Sequence, residues 1–597
     1  MNFFIGSLED NLGYFVLTYL LRFFGEGYVS LINYPFGVDF FLRPSNQPLF
    51  HTPLLVLGST FNSMVVYNVV VVLSVALALV ASFWFFKHFL KSGFISVLCS
   101  FIFVFSSYFY YHSKSHLDLI QVWALVVFVL TFLKAKTYLQ YFLSGAVLVA
   151  VTLISNYLGF VGIVFVSIYC AVDLLLTRGL GDLKKKLISI FVLGLTFILG
   201  AGVFLLPYIE INYFSEGSQI VGVEDGDSWK IVQDAGGGAG EDVEIPQTGF
   251  LSRPLEDFFV FSSRPWYYFL PSVDNPFLGS ASASVIEFLQ NSWGYWLTSN
   301  YFVSEHSTSY LGYVNLLFAA VGVYAVYRGG MLSFSLKTKK VLGVLLITAF
   351  GLAVVSMPPY FTINLKEYYL PSYFIWKVFP MFRVLSRLGI LVLLIELVFT
   401  GVGFMVFAKF IAGSSRKFKK LGSFVILIPF TLSLMEFYVP PEITKVEDIP
   451  EVYTYIKLNT PEDSVIAVYP LSSSEYTLFW MQEHGRAIIN TGKLERPEFG
   501  FYPKDFTQKL PTCVGILEAR NLGATHILSF AKGGLPPESY FESSNMLTKI
   551  YGYENNDFKS GKINSRRFFE VNDIGSKSIQ KVSLYRINEE ERCLWAL

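Results

Sequence analysis

Long apolar runs separated by short polar turns dominate the chain from about residue 62 to residue 438. An apolar helix of about 20 residues crosses the hydrocarbon core of a bilayer. About ten stretches fit that description, near 65–87, 94–111, 117–133, 138–154, 157–177, 187–208, 309–327, 341–357, 387–410 and 421–438. Beyond about residue 440 the pattern changes. EDSVIAVYPL, THILSF and KVSLYRI are short β-branched runs, and between them PTCVGILEARNLG has a helical period and a glycine stop. The pattern predicts a polytopic α-helical membrane protein with about ten transmembrane helices and a small C-terminal α/β domain. Its parts are 1–61, 62–439 and 440–597.

Charge then orients the spans. Lys87 with Lys91, Lys134 with Lys136, and Arg178 with Lys184, Lys185 and Lys186 occupy alternate loops. Arg328, Lys337, Lys339 and Lys340 form a further cluster, as do Arg416, Lys417, Lys419 and Lys420. Basic loops resist translocation and stay cytoplasmic. With these clusters inside, 1–61, 209–308, 358–386 and everything after Val439 fall outside the cell membrane. The region 1–61 would then cross without a preceding span. That predicts either a further helix upstream of Met1 or a translocated N-terminal tail. Gly13 to Phe24 is apolar but too short to span, and it reads as an interfacial amphipathic helix.

Composition adds little beyond class. The chain is 53% hydrophobic and only 15% charged, and its net charge of zero gives no footprint for nucleic acid. Cys99 and Cys170 lie in apolar spans, whereas Cys513 and Cys593 lie in the polar tail and could pair there. The acidic, glycine-rich stretch from Glu216 to Glu244 reads as a solvated loop, although its carboxylates could also hold a cation.

Four places at the outer boundary can carry chemistry. Glu9 and Asp10 precede the amphipathic helix; they could act as general base or hold a divalent metal ion, or simply cap the helix. His112 and His116 are four apart in a tight turn that Asp118 closes, with the spacing of two metal or phosphate ligands on one helical face. Arg383 and Arg387 have the same spacing and suit an anionic phosphate at headgroup depth, or they snorkel to lipid. Glu305, followed by His306, faces the same surface. Within the spans, Glu396 sits roughly 13 Å along its helix at a 1.5 Å rise, either functional or a neutral packing residue. Asp173 belongs to a basic cytoplasmic cluster. No phosphate-cradling glycine loop, dinucleotide fingerprint, zinc spacing or nucleophile elbow is present.

The order of these features resembles the GT-C membrane glycosyltransferases of bacteria and archaea, in the branch with a C-terminal external domain. LEDNLGYFVLTYLLRFF is similar to the acidic motif and amphipathic helix of their first external loop, and NYPFGVDF with PLFHTPLLVL continues it. FSSYFYYHSKSHLDLIQVWAL resembles their histidine-containing turn. FLPSVDNPFLG and SEHSTSYLGYVNLLFAAVG resemble the segments flanking the large external loop. FPMFRVLSRLGILVLLIELVFTGVGF resembles the arginine-containing entry to a late helix, and EVYTYIKLNTPEDSVIAVYPL the start of the external domain. The resemblance covers most of the chain. It implies a GT-C-like fold and transfer of a sugar from a polyprenyl-phosphate donor to a glycan, lipid or protein acceptor, on the outer face and with inversion. Asp10 or Glu9 becomes the base, Arg383 and Arg387 the donor-phosphate contacts, and His112, His116, Asp118 and Glu305 supporting residues. In the family a membrane helix precedes the acidic loop, so the resemblance implies such a helix upstream of Met1. Two other readings stay open: a non-catalytic envelope scaffold or glycan-binding protein, and a lipid-linked polysaccharide polymerase or flippase. A flippase would spread charges through several spans, whereas here they gather at one boundary.

Overall fold

The computed structural model describes the chain except for residues 1–2, 8–11, 25–27, 36, 40–46, 178, 210–253, 293–302, 329–331, 364–365, 415–424, 447, 492–502, 532–538, 556–569, 575, 577–578 and 589–597. The principal helices are α1 (Leu12–Phe24), α2 (Pro48–Thr60), α3 (Ser63–Leu90), α4 (Gly93–Val104), α5 (Ser107–Ser115), α6 (Val122–Lys134), α7 (Tyr138–Ile154), α8 (Asn156–Leu175) and α9 (Leu180–Ile209). They continue as α10 (Leu255–Val260), α11 (Gly279–Ser292), α12 (Tyr313–Arg328), α13 (Leu336–Val355), α14 (Pro371–Val378), α15 (Gly389–Ser414), α16 (Leu427–Phe437), α17 (Glu451–Asn459) and α18 (Cys513–Asn521). Strands are β1 (Phe3–Ile5), β2 (Tyr28–Val29), β3 (Val38–Asp39), β4 (Tyr360–Ile363), β5 (Lys366–Tyr369), β6 (Glu442–Lys445), β7 (Val465–Tyr469), β8 (Ala487–Ile488), β9 (His526–Ala531), β10 (Leu547–Glu554), β11 (Glu570–Asp573) and β12 (Lys581–Ile587). They form two compact units. One comprises 72–113 and 118–440; the other comprises 1–71, 114–117 and 441–597.

The first unit is helical. Across the described residues, six helices are long and apolar enough to cross a membrane, and α4 with α5, bent by 41°, makes a seventh. The sequence pattern counts about ten. The difference lies in α6, α7 and α16, of 13, 17 and 11 residues. Even 17 residues reach only roughly 26 Å at 1.5 Å each, short of a 30 Å core. The span that ends in α15 is the most buried, with 83% of its apolar window covered, against 17% in α9. Close packing of α12 on α15 depends on glycine. A Cβ on Gly322 would sit 2.0 Å from the Phe399 carbonyl oxygen, and one on Gly403 2.0 Å from that of Phe318. Small residues at such crossings let two backbones touch where lipid supplies no hydrophobic drive.

The second unit contains a five-stranded sheet ordered β10-β12-β9-β7-β8. β7 pairs in parallel with β8 and β9, while β12 runs antiparallel to β9 and β10. Every residue of β7 is buried, as a central strand covered on both faces requires. Ala467, Ile489, Ile516, Ile527 and Tyr585 share its core. In the same unit β1 pairs antiparallel with β6, and β6 in parallel with β11. The apolar face of α1 is covered by protein: Phe15 stacks on Phe479 at 4.7 Å, and Phe4 contacts Phe15 and Tyr67. Tyr19 donates from its hydroxyl to the Leu478 carbonyl at 2.9 Å. Cys513 is disulfide-bonded and Cys99 and Cys170 are free; Cys593, its expected partner, lies outside the described residues.

Candidate active site around Glu305 and Arg387

Two short 3₁₀ turns position the central pair. Ser304–Ser309 carries Glu305 just before α12, and Leu385–Leu388 carries Arg387 just before α15. His306 fixes the first turn. Its ring lies 4.3 Å from that of Tyr267, its Nε2–H donates to the Val260 carbonyl at 2.7 Å, and Nδ1 accepts from the Val303 N–H at 3.3 Å. Serines then tie the turns together. Ser309 donates to the Ser386 carbonyl at 3.2 Å and shares a short hydroxyl contact with Ser263. The Ser386 N–H donates to the Phe261 carbonyl at 3.2 Å. A Cβ on Gly389 would lie 2.8 Å from the Ser309 Cα, so the glycine lets the turns meet.

This frame places the Arg387 Nε 2.7 Å from the Glu305 Oε1. Both residues are buried, with 6% and 4% exposure. The guanidinium also lies 4.2 Å from the centre of the Tyr157 ring, so it is held by charge on one side and a π face on the other. His112 stands nearby, its Nε2 4.0 Å from the same Glu305 oxygen and its ring 4.3 Å from that of Tyr108. Tyr108 lies within electrostatic reach of Arg387, Asp118 and Glu305. Asp118 accepts from the Ser155 hydroxyl at 2.9 Å, at the start of α8. Arg383 completes the group. It pairs with Asp257 of α10 and lies 4.8 Å over the Phe261 ring. The Tyr157 hydroxyl accepts from the Val384 N–H at 3.0 Å, which pins the backbone between the two arginines.

Of the residues singled out in the sequence, His112, Asp118, Glu305, Arg383 and Arg387 therefore gather in one unit. Glu9 and Asp10 lie outside the described residues. Ser7, which precedes them in sequence, belongs to the other unit, where its N–H and hydroxyl both donate to the Lys114 carbonyl at 2.9 Å. His116 belongs to that unit too. Glu396 is buried in α15, its Oε1 accepting from Thr400 at 3.1 Å, and makes no described contact with Arg387. Asp173 pairs with Lys186 and, at 3.8 Å, with Lys340. The carboxylates of the Glu216–Glu244 stretch lie outside the described residues. Tyr157, Tyr108 and Asp257 are site residues the sequence reading does not find.

The chemistry available is anion binding by directed donors. Within the described residues the Nη groups of Arg387 make no hydrogen bond, so they are free to donate. Net charge does not supply the attraction, because two guanidiniums face the carboxylates of Asp118, Asp257 and Glu305. A divalent metal ion does not fit this group. Among the described residues no cluster of three His, Cys, Asp or Glu is placed to hold one, and Arg387 already occupies Glu305.

No family model and no curated protein matches the chain. Solved structures do. The apo oligosaccharyltransferase of Archaeoglobus fulgidus aligns with 88% of this chain and 66% of its own at 11% identity, with a TM-score of 0.47. Its complex with Zn and sulfate aligns with 88% and 64% at 10% identity, with a TM-score of 0.46. Its complex with an inhibitory peptide and a dolichol-phosphate aligns with 88% and 66% at 11% identity, with a TM-score of 0.43. The chain spans just under two thirds of the length of these proteins, at 64% to 66%. The solved structures it is similar to are those of an archaeal oligosaccharyltransferase.

Proposed function

We propose that this protein is a membrane glycosyltransferase that moves a sugar from a polyprenyl-phosphate donor to a cell-envelope acceptor on the extracytoplasmic face. The observation that carries the reading is the buried Arg387, fixed by Glu305 and Tyr157 at the mouth of a membrane helix, with Arg383 four residues away. A lipid-linked phosphate sits at that depth. A planar guanidinium with free Nη donors suits its oxygens better than a lysine would.

In the proposed reaction Asp10 or Glu9 accepts the proton of an acceptor hydroxyl. The acceptor oxygen bonds to the anomeric carbon as the bond from that carbon to the phosphate oxygen breaks. The electron pair leaves with the polyprenyl phosphate, and Arg383 and Arg387 stabilise the charge that develops there. One displacement inverts the anomeric centre. Glu305 positions Arg387, while His112 and Asp118 line the same group. The disulfide at Cys513 suits a tail domain in an oxidising compartment.

The test is transfer from polyprenyl-phosphate sugars by purified protein in vesicles. Asp10→Asn, or Glu9→Gln if that residue is the base, abolishes transfer, whereas Asp225→Asn does not. Protein that neither binds nor consumes any such donor overturns the reading, and unchanged transfer in both carboxylate variants removes the proposed base.

A further inference from the structure

The segment between α13 and α15 carries an aromatic surface that no described residue of its own unit covers. β4 and β5 form a hairpin in register Tyr360↔Tyr369, Phe361↔Tyr368, Thr362↔Glu367 and Ile363↔Lys366. Side chains alternate across a strand pair, so the hairpin has two faces. One makes ring contacts with the rest of the unit: Tyr360 meets Phe259 edge-on at 4.7 Å, and Tyr369, itself 50% exposed, lies 4.3 Å from Tyr373 of α14. The other is open. Phe361 and Tyr368 stack on each other at 5.4 Å and 13°, with 36% and 42% exposure, and the Lys366 ammonium lies 5.6 Å over Tyr368. α14 repeats the arrangement. Phe374 and Val378, one helical turn apart, are 61% and 63% exposed. Its other face is held by Phe160, Phe258 and Leu385, against which Ile375 and Trp376 pack.

We propose that the Phe361–Tyr368–Lys366 face of the hairpin and the Phe374–Val378 face of α14 dock into the interfacial zone of the phospholipid leaflet that meets this loop. Three observations select lipid as the occupant. The tether is short: four residues separate Val355, the end of span α13, from Tyr360, so the hairpin starts within about 18 Å of the membrane end of that helix. The surface continues one already facing lipid, since Ile347 and Phe350 of α13 are exposed. The composition is that of an interface, with aromatic rings at headgroup level and a lysine beside them to meet lipid phosphate. Backbone groups of the hairpin pair with each other, which removes the main cost of lying at that depth. The inference is independent of glycosyl transfer, though the same segment ends at Arg383 and Arg387 and its anchoring would set their depth.

The test uses bimane attached at Phe361→Cys and at Phe374→Cys, each in a Cys170→Ser background, with the full chain in phosphatidylcholine–phosphatidylglycerol vesicles. Leu458→Cys, exposed in the other unit, is the aqueous reference. Shallow doxyl-labelled lipid is expected to quench both interfacial probes several-fold more strongly than the reference, and aqueous iodide several-fold less. Iodide access equal to that of Leu458→Cys overturns the proposal. So does protection from both quenchers, which would mean that protein, such as a second copy of the chain, covers the surface. Monodisperse elution of each labelled variant shows that it has folded.

Discussion

Arg387 donates to Glu305 at 2.7 Å across 82 residues of sequence, and both side chains are buried. Removing one partner of such a pair strands the other charge in a poorly hydrated site. The cost is about 3–5 kcal/mol, whereas replacing both by apolar residues of similar size is often close to neutral. Glu305→Met is therefore expected to lower the thermal unfolding temperature in detergent far more than Glu305→Met with Arg387→Met. Equal losses in the two proteins would show that Glu305 does not compensate Arg387. Both variants are expected to lose transfer: the double variant lacks the proposed Arg387 donor contact, and the single variant leaves Arg387 without the carboxylate that positions it.

Arg383 and Asp257 make the same test with opposite signs. The pair is partly exposed, and Phe261 supports the guanidinium from another side. Under the proposed function, a donor phosphate would compete with Asp257 for Arg383. Arg383→Ala should weaken donor binding roughly tenfold, about 1.4 kcal/mol. Asp257→Asn removes the competitor and should tighten it. Isothermal titration with a polyprenyl-phosphate sugar reads both; weakening by Asp257→Asn as well would make Asp257 a positioning residue rather than a competitor.

What the sequence exposes and what it conceals divide along a physical line. The 20-residue apolar runs and the β-branched runs of the tail are local patterns, and helices and strands form there. His112, Asp118, Glu305, Arg383 and Arg387 are conspicuous because each is an ionisable residue directly beside or at the start of an apolar run, away from the five basic clusters. Tyr157 is not: at the head of an apolar span it looks like any interfacial aromatic, and its stacking on Arg387 depends on a turn more than two hundred residues later. Asp257 is hidden for the same reason, its partner lying 126 residues away. The bend between α4 and α5 and the pairing of β1 with β6 likewise depend on tertiary packing, which no local period encodes.

The α12–α15 contact gives a prediction about stability alone. A Cβ at Gly322 or Gly403 would meet a backbone carbonyl at 2.0 Å, and backbone cannot rotate aside as a side chain can. Gly322→Val and Gly403→Val must push the helices apart. They are expected to cost at least about 1–3 kcal/mol, the usual range for overpacking, and to reduce the yield of monodisperse protein. Gly202→Val, in α9 with nothing within 4 Å of its added carbon, is the control and should be tolerated. Similar behaviour of all three variants would show that the crossing is not set by glycine.

His484 links the other unit to pH. It is buried; its Nδ1 accepts from the Arg486 N–H at 3.0 Å and its Nε2–H donates to the Thr477 carbonyl at 3.1 Å. The bond accepted at Nδ1 needs the neutral ring, whereas the one donated from Nε2 survives protonation. Burial pushes its pKa down to about 4; the Thr477 carbonyl opposes this and the Arg486 charge adds to it. The unfolded chain has the ordinary value near 6.5, so between pH 6.5 and 4 it binds a proton that the folded chain refuses. Stability from this group is complete above pH 6.5 and falls as the pH drops toward 4, by about 3 kcal/mol in total. His526 is also pushed down to about 4, by burial and then by Arg586, and adds a slope of the same sign. His484→Gln is therefore expected to be less stable at pH 7 yet to lose less stability on acidification than the unmodified protein. Carboxylates titrating in the same range cancel in that difference. Thermal unfolding at several pH values from 7 to 4 reads it directly, and parallel curves for the two proteins would exclude His484 as the responsible group.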